Sequence, residues 1–237
     1  MLQPETETYR GNKITLTVTI LVTLLVAYGV FLLLSERETL SLQKVLFCAP
    51  ALGVPAFAVF WLFSLRVSLH PDGISKESFL GRKEMRWDDV NSFFYAATKR
   101  SVNFIPIGTY YSFRLIDRDG NKISFGNSVE RPLDVGTKMI QYTHAPLLKK
   151  AAEQFDSGVE LNFGPVRMSR AGGIKIKKLF REKQIAINEV ASYRIDAGHL
   201  YIFKVGEKRT TGPAISQIPN AFVLIGLLNA IYKAPAQ

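Results

Sequence analysis

Two uncharged apolar runs, Ile14–Leu34 and Val45–Leu65, constrain this chain more than any other feature of it. The first, ITLTVTILVTLLVAYGVFLLL, is interrupted in polarity only by threonines. A helix of that length rises about 32 Å, enough to cross a hydrocarbon core of about 30 Å. The second, VLFCAPALGVPAFAVFWLFSL, carries Pro50, Gly53 and Pro55. Membrane helices tolerate such residues where neighbours satisfy the freed carbonyls. With the short charged linker Ser35–Lys44 between them, the runs predict a transmembrane hairpin over residues 1–66, with helices at about 14–34 and 45–65. A cleaved signal peptide fits less well, because its apolar core spans only about 7–15 residues and ends at small residues, whereas this run ends in LLLSERE. A buried hairpin in a water-soluble protein would place charges on one face, and neither run has any.

Composition then reads as two populations. The 237 residues hold 30 basic and 20 acidic side chains, a net charge of +10, together with a mean hydropathy above zero. The net charge is +1 up to Arg66, +4 from Val67 to Lys150 and +5 beyond, so the apolar runs and the basic excess lie in different parts of the chain. Basic residues flank the hairpin on its outer sides: Arg10 and Lys13 before it, and Arg66, Lys76, Arg82, Lys83 and Arg86 after it. Only Arg37 and Lys44 lie in the linker. Basic flanks stay in the cytoplasm, so both termini are expected there, in a multi-pass protein. The lone Cys48 excludes a disulfide framework and cysteine-rich zinc sites; inside the membrane it is a small apolar filler. His70, His144 and His199 are too scattered for a metal cluster.

Residues after Arg66 read as one module used twice. Gly73–Phe93, GISKESFLGRKEMRWDDVNSF, aligns without a gap to Gly173–Tyr193, GIKIKKLFREKQIAINEVASY, at an offset of 100. The alignment pairs Ile74 with Ile174, Lys83 with Lys183, Asp89 with Glu189, Val90 with Val190 and Ser92 with Ser192. Such internal similarity marks one supersecondary unit repeated. Turns are expected at His70–Gly73, Ala171–Gly173, Asp119–Gly120 and near Gly206–Lys208, between alternating strand-like runs. Each copy then closes with an apolar helix, about Pro132–Phe155, broken or kinked by Pro146, and Pro219–Tyr232. The modules are placed at 67–155 and 156–237. Phe104–Ile107, followed by Gly108, Tyr110 and Tyr111, is expected to be a core strand, with a long loop that docks on a partner or dips into the membrane as the alternative.

Antiparallel hairpins followed by one helix resemble a pleckstrin-homology-like (PH-like) barrel. The residues that carry the resemblance are DGISKESF followed by RWDDV, and GGIKIKKLF followed by INEV, where Ile187 stands in the tryptophan's place. LNFGPVRMSRAGGI and IPNAFVL are similar to segments of an uncharacterised family of bacterial membrane proteins with this layout. The resemblance implies a fold class, an α-helical transmembrane hairpin followed by α+β with two tandem PH-like barrel or sandwich modules. It also implies a setting in the bacterial inner membrane. It carries over no active-site residue.

No catalytic constellation is visible. Asp88–Asp89 are adjacent, whereas paired catalytic carboxylates converge from separate segments, and Asn188–Glu189 in the second copy fit a turn or helix start. Gly81–Lys83 and Ala171–Gly173 lack the length and the Ser/Thr of a phosphate loop. No enzyme, cofactor or metal is expected. The densest basic run is Lys175, Lys177, Lys178, Arg181 and Lys183, interleaved with Ile174 and Ile176 so that a strand would turn the lysines outward. By resemblance to lipid-binding PH domains, these five are the candidate anionic-ligand site. Diffuse attraction to anionic headgroups is the competing account, at about 1 kcal/mol per nearby basic residue. Nucleic acid is not expected, since no aromatic residues interleave as a stacking platform. The expected function is a membrane-anchored binding or scaffold protein for a protein partner or an anionic lipid surface. The alternatives are an accessory subunit of a channel or transporter, with hairpins forming a homo-oligomer, or an immunity or stress factor.

Overall fold

The computed structural model describes residues 6–35, 42–102, 105–178, 181–207 and 212–233. It divides into two compact units, residues 1–84 with 127–132, and residues 85–126 with 133–237.

In the first unit a short strand, β1 (Glu7–Arg10), precedes two 23-residue helices, α1 (Lys13–Ser35) and α2 (Leu42–Ser64). Three strands follow, β2 (Arg66–Leu69), β3 (Gly73–Ser78) and β4 (Gly81–Arg86), and the sheet order is β1-β2-β3-β4. The helices are therefore an insertion between two paired strands, with Tyr9 opposite Val67. The insertion is rooted by specific contacts. Asn12 caps α1: its Oδ1 accepts the Ile14 N–H at 2.9 Å, which satisfies a donor that the first helical turn leaves orphaned. The Asn12 backbone N–H donates to Ser128 O at 2.8 Å, and Gly11 N–H donates to Leu65 O at 3.0 Å. A Cβ on Gly11 would overlap the Leu62 carbonyl, so only glycine lets the chain enter α1 beside the last turn of α2. Within α1, Thr19 and Thr23 each donate to the carbonyl four residues back at 2.7 Å, so the hydroxyls of an otherwise apolar helix are satisfied internally.

Large apolar side chains on both helices are exposed, among them Leu25, Phe31, Val54 and Phe63. Among the described residues, one helix is long and apolar enough to cross a membrane, Lys13–Leu32; the apolar part described for α2, Ala49–Ser64, is shorter. The expected hairpin is thus present as two helices, and the spanning criterion is met by the first. The side chain of Cys48 lies outside the described residues.

The second unit begins with a three-stranded antiparallel sheet, β5 (Val90–Val102), β6 (Ile105–Asp117) and β7 (Lys122–Gly126). The helix α3 (Pro132–Asp156) follows. Then come β8 (Leu161–Phe163), β9 (Val166–Ser169), β10 (Gly173–Lys178) and β11 (Arg181–Ile185), which form a sheet of order 11-10-9-8. The pair β12 (Val190–Asp196) and β13 (His199–Lys204) and the helix α4 (Ala221–Lys233) complete it. The fold class is α+β, built of separate antiparallel sheets, and none of them closes into a barrel.

Alternation explains the core. Ile174, Ile176 and Ile185 of the β10–β11 hairpin are buried with Val166 and Met168 of β9, and with Val223, Leu224, Leu227 and Leu228 on the inner face of α4. A second centre surrounds Phe113, which is 1% exposed and has Tyr95 and Phe125 each 5.4 Å away, ring to ring. A Cβ on Gly136 of α3 would overlap the Phe113 ring, so a glycine in the helix makes room for the aromatic side chain.

The repeat extends to fine detail. Both copies place a 3-10 turn at the aligned position, Trp87–Asp89 and Ile187–Glu189. Both shift register at the next strand, between Val90 and Ser92 and between Val190 and Ser192. The pairing Phe163↔Val166 in the second copy corresponds to Tyr9↔Val67 in the first. The two-residue connection Gly164–Pro165 therefore occupies the place that the helical insertion takes in the first copy.

Two expectations need correction. No barrel closes. The helix α3 runs without a break through Pro146, which forfeits one backbone hydrogen bond. The expected turn near Gly206 forms, with Glu207 N–H donating to Lys204 O at 3.0 Å, while Lys208 lies outside the described residues. The turns at His70–Gly73 and Asp119–Gly120 form as expected: His70 N–H donates to Gly73 O at 2.8 Å, and Gly120 N–H to Asp117 O at 3.3 Å. The segment from Ile105 is a strand; Phe104 and the side chains of Ile105–Ile107 lie outside the described residues, while Tyr110 is exposed.

Candidate functional site

The basic hairpin forms where the sequence places it, with Ile174 and Ile176 inward and Lys177 exposed. Much of its charge is matched by carboxylates. Lys175 lies 2.8 Å from Glu160, which Arg167 also approaches at 3.8 Å. Lys183 is paired with Glu207, and Lys177 stands opposite Glu182 in the strand register. The Glu160 carboxyl is held below its usual range, first by the Lys175 hydrogen bond, against partial desolvation, with the Lys175 and Arg167 charges adding to it. The side chains of Lys178 and Arg181 lie outside the described residues. Of the five candidate residues, Lys175 and Lys183 thus already have anionic partners, supplied from outside the hairpin.

The other motifs take structural places. Asp88 and Asp89 sit in the 3-10 turn, where Arg86 lies 3.9 Å from Asp88 and Arg118 donates to its carbonyl at 2.9 Å. Glu189 bonds Lys204 at 2.9 Å. That bond, followed by the Ala186 N–H, lowers its pKa. His70 joins Thr6 and Ser75, and His144 lies against Phe222. Among the described residues, no group of three His, Cys, Asp or Glu side chains could hold a metal ion.

A feature that the motifs do not announce lies within the second unit. A partly open cavity of about 750 Å³ is lined by β5, the start of α4, the β12–β13 turn, residues 214–216 and Ile140 of α3. Phe93, Tyr95, Ala97 and Lys99, successive odd positions that share a strand face, line the cavity together with Ala96 and Thr98. Along that face polarity rises from buried Phe93 to exposed Lys99. Lys99 has no ion-pair partner among the described residues and stands opposite Thr109. The Tyr95 phenol is pushed up by burial and by neighbouring Tyr111, so it stays a protonated donor at neutral pH.

Three local devices hold the walls. Asn220 adopts φ 52°. Its Oδ1 accepts the Phe93 N–H at 2.8 Å, its Nδ2 donates to Asn91 O at 2.8 Å, and its backbone N–H donates to Phe93 O at 2.8 Å. This latch ties the start of α4 to β5 and brings Phe222 to 5.5 Å from Phe93. The β12–β13 turn uses φ 47° at Ala197 and 77° at Gly198, the left-handed pair that a two-residue hairpin turn requires. His199 Nδ1 faces the Ala197 carbonyl at 3.2 Å; a carbonyl only accepts, so Nδ1 carries the hydrogen. Residues 212–216 are held by Leu200 N–H to Pro213 O at 3.0 Å and Ile215 N–H to Gly198 O at 2.8 Å.

With this geometry in hand, the profile of a family described as of unknown function, DUF6585, matches residues 3–237, and the chain belongs to that family. No curated protein matches it.

Proposed function

We propose that this DUF6585 chain is a membrane-anchored binding protein whose two repeated modules face the cytoplasm, there to engage a protein partner or an anionic lipid surface. The observation that carries the reading is the root of α1 and α2 in the β1-β2 pairing. Removal of α1 as a signal sequence would take β1 with it, and Tyr9, only 3% exposed, would leave the sheet. An apolar helix held by strands at both ends of its insertion is an anchor. The basic flanks Arg10, Lys13, Arg66, Arg82, Lys83 and Arg86 and the resemblance support the two-pass topology, the cytoplasmic termini and the bacterial inner membrane of this reading. The order of strands and closing helix in each copy supports the PH-like description. A tether combined with two weak modules gives avidity through effective concentration.

The test uses the full chain. A reporter fused after Gln237 reads cytoplasmic, and one inserted in the 36–41 linker reads on the opposite side. Amphipol-held protein is then mixed with anionic or neutral vesicles at two salt concentrations. Association that requires anionic lipid, weakens with salt, and drops when Lys175, Lys177 and Lys178 become Glu assigns the hairpin to a lipid surface. Association with neither vesicle directs the search to a protein, by cross-linking in native membranes. A periplasmic Gln237 reporter refutes the orientation.

A further inference from the structure

A partly open cavity of about 750 Å³ with a largely apolar lining presents surface that an apolar occupant would remove from water. The volume lies within the range of about 300–1,000 Å³ typical of small-molecule sites. Its lining is apolar at one end, where Phe93, Phe222 and Ile225 meet, and cationic at the other, where Lys99 lies. Lys99 lies six steps along the strand from Phe93, about 20 Å at the usual rise.

A lining with one greasy end, one cation and an elongated path between them matches one ligand shape. We propose that the cavity binds a single-chain amphiphile with a monoanionic head, such as a fatty-acid carboxylate. Its chain lies along Phe93, Tyr95 and Ala97 toward Phe222, and its head meets the Lys99 ammonium. Three arguments distinguish this site from the basic hairpin. Lys99 has no ion-pair partner among the described residues, whereas Lys175 and Lys183 have theirs. The apolar wall offers burial to a chain, at about 0.8 kcal/mol per methylene, and the hairpin offers none. Tyr95 and His199 Nε2 add polar groups to the lining. The turn Asp196–His199 and residues 214–216 form one wall of the site, joined by the Ile215 N–H bond to Gly198 O at 2.8 Å and by the bridge His199↔Ala214.

The inference rests on the reading of the chain as a binding protein but not on its anchor. Failure here would leave the topology and vesicle results standing. Full-length protein in amphipol is titrated calorimetrically with dodecanoate, dodecanol and dodecyltrimethylammonium. The expected result is one saturable dodecanoate site, with dodecanol about 3–10-fold weaker and the cation weaker still, from loss of a charge-assisted contact. Lys99→Gln should cost dodecanoate the same 3–10-fold and leave dodecanol unchanged. Ala97→Trp, on the exposed part of the lining, should abolish binding of both; Ala214→Phe is a second filler from a different wall, and circular dichroism verifies that each variant is folded. Dodecanoate binding that survives both fillers, that equals binding of the cation, or that is absent altogether overturns the proposal.

Discussion

Asn220 offers a sharp quantitative test of how the second unit is held together. Its side chain makes two hydrogen bonds to β5, and its backbone makes a third. Alanine would remove the first two, each contributing about 0.5–1.5 kcal/mol net, and would leave the Phe93 N–H unsatisfied at a residue only 1% exposed. It would also put a Cβ without a compensating polar group at φ 52°, a conformation that disfavours ordinary side chains by about 1–2 kcal/mol. Asn220→Ala is therefore expected to destabilise by about 2–4 kcal/mol. Asn220→Gly removes the same side-chain bonds without the backbone strain, and should cost about 1 kcal/mol less than alanine. Asn220→Asp keeps the acceptor for Phe93 but turns an acceptor toward the Asn91 carbonyl, so it should fall between glycine and wild type in its effect on Phe93. Urea unfolding followed by tryptophan fluorescence measures the totals; Trp87 reports on the same unit through its 5.2 Å stack on Tyr142. Hydrogen exchange at the Phe93 amide measures the local bond. If Asn220→Ala stays within about 0.5 kcal/mol of wild type and Phe93 remains protected, the latch does not hold α4 to β5, and the account of the cavity wall fails with it.

Other outcomes are equally specific. Gly136→Ala places a methyl in the Phe113 ring and should cost about 1–3 kcal/mol by overpacking, read as a lowered urea midpoint. Glu160 is an acid-side contributor: its folded pKa is depressed, so the stability it adds is present above its ordinary value of 4.5 and is lost as pH falls through the folded value. Glu160→Gln should flatten that limb of the stability–pH curve, and a carboxyl NMR titration should find Glu160 below 4.5. Lys76 has the opposite consequence. Its pKa is lowered by burial and then by Lys83, so the unfolded state binds the proton more tightly and stability rises with pH from the folded value up to about 10.5. Lys76→Met should remove that slope, which pH-dependent urea midpoints would detect.

What could be read from the chain follows the range of the interaction involved. The β10–β11 hairpin was legible because Ile174, Lys175, Ile176 and Lys177 alternate locally, and its twin confirmed the register at an offset of 100. The turns at His70–Gly73 and Asp119–Gly120 carry their own chemistry in Asp, Pro and Gly. Strand β1 was not legible, since ETYR is too short to show a period and its partner β2 lies beyond both helices. Pro146 misled because a local rule about broken helices yielded to packing: Val135, Met139 and Ala151 on either side of it are all buried. The basic hairpin looked like a free cationic surface because Glu160 and Glu207, which pair with it, lie outside it. The cavity draws its walls from five separated stretches, and no spacing within any one of them encodes it. Asn220 carried the clearest missed signal, an Asn directly before an apolar helical run, where a left-handed residue is readily accommodated.

The exchange of a two-residue connection for a pair of helices also defines an excision. Tyr9 and Val67 already face each other as Phe163 and Val166 do, so a chain joining Tyr9 to Val67 through the Gly-Pro of the second copy keeps every strand of the first sheet. It gives up the terminal pair Arg10↔Arg66, the Glu130 N–H bond to Arg10 O at 2.8 Å, and the contacts of Gly11 and Asn12 that root the helices. Cutting the chain after Arg66 instead would discard β1 and bare the edge of β2. A form of this chain without its two helices is thus better made by a splice than by a truncation, which brings its two halves to the same connectivity.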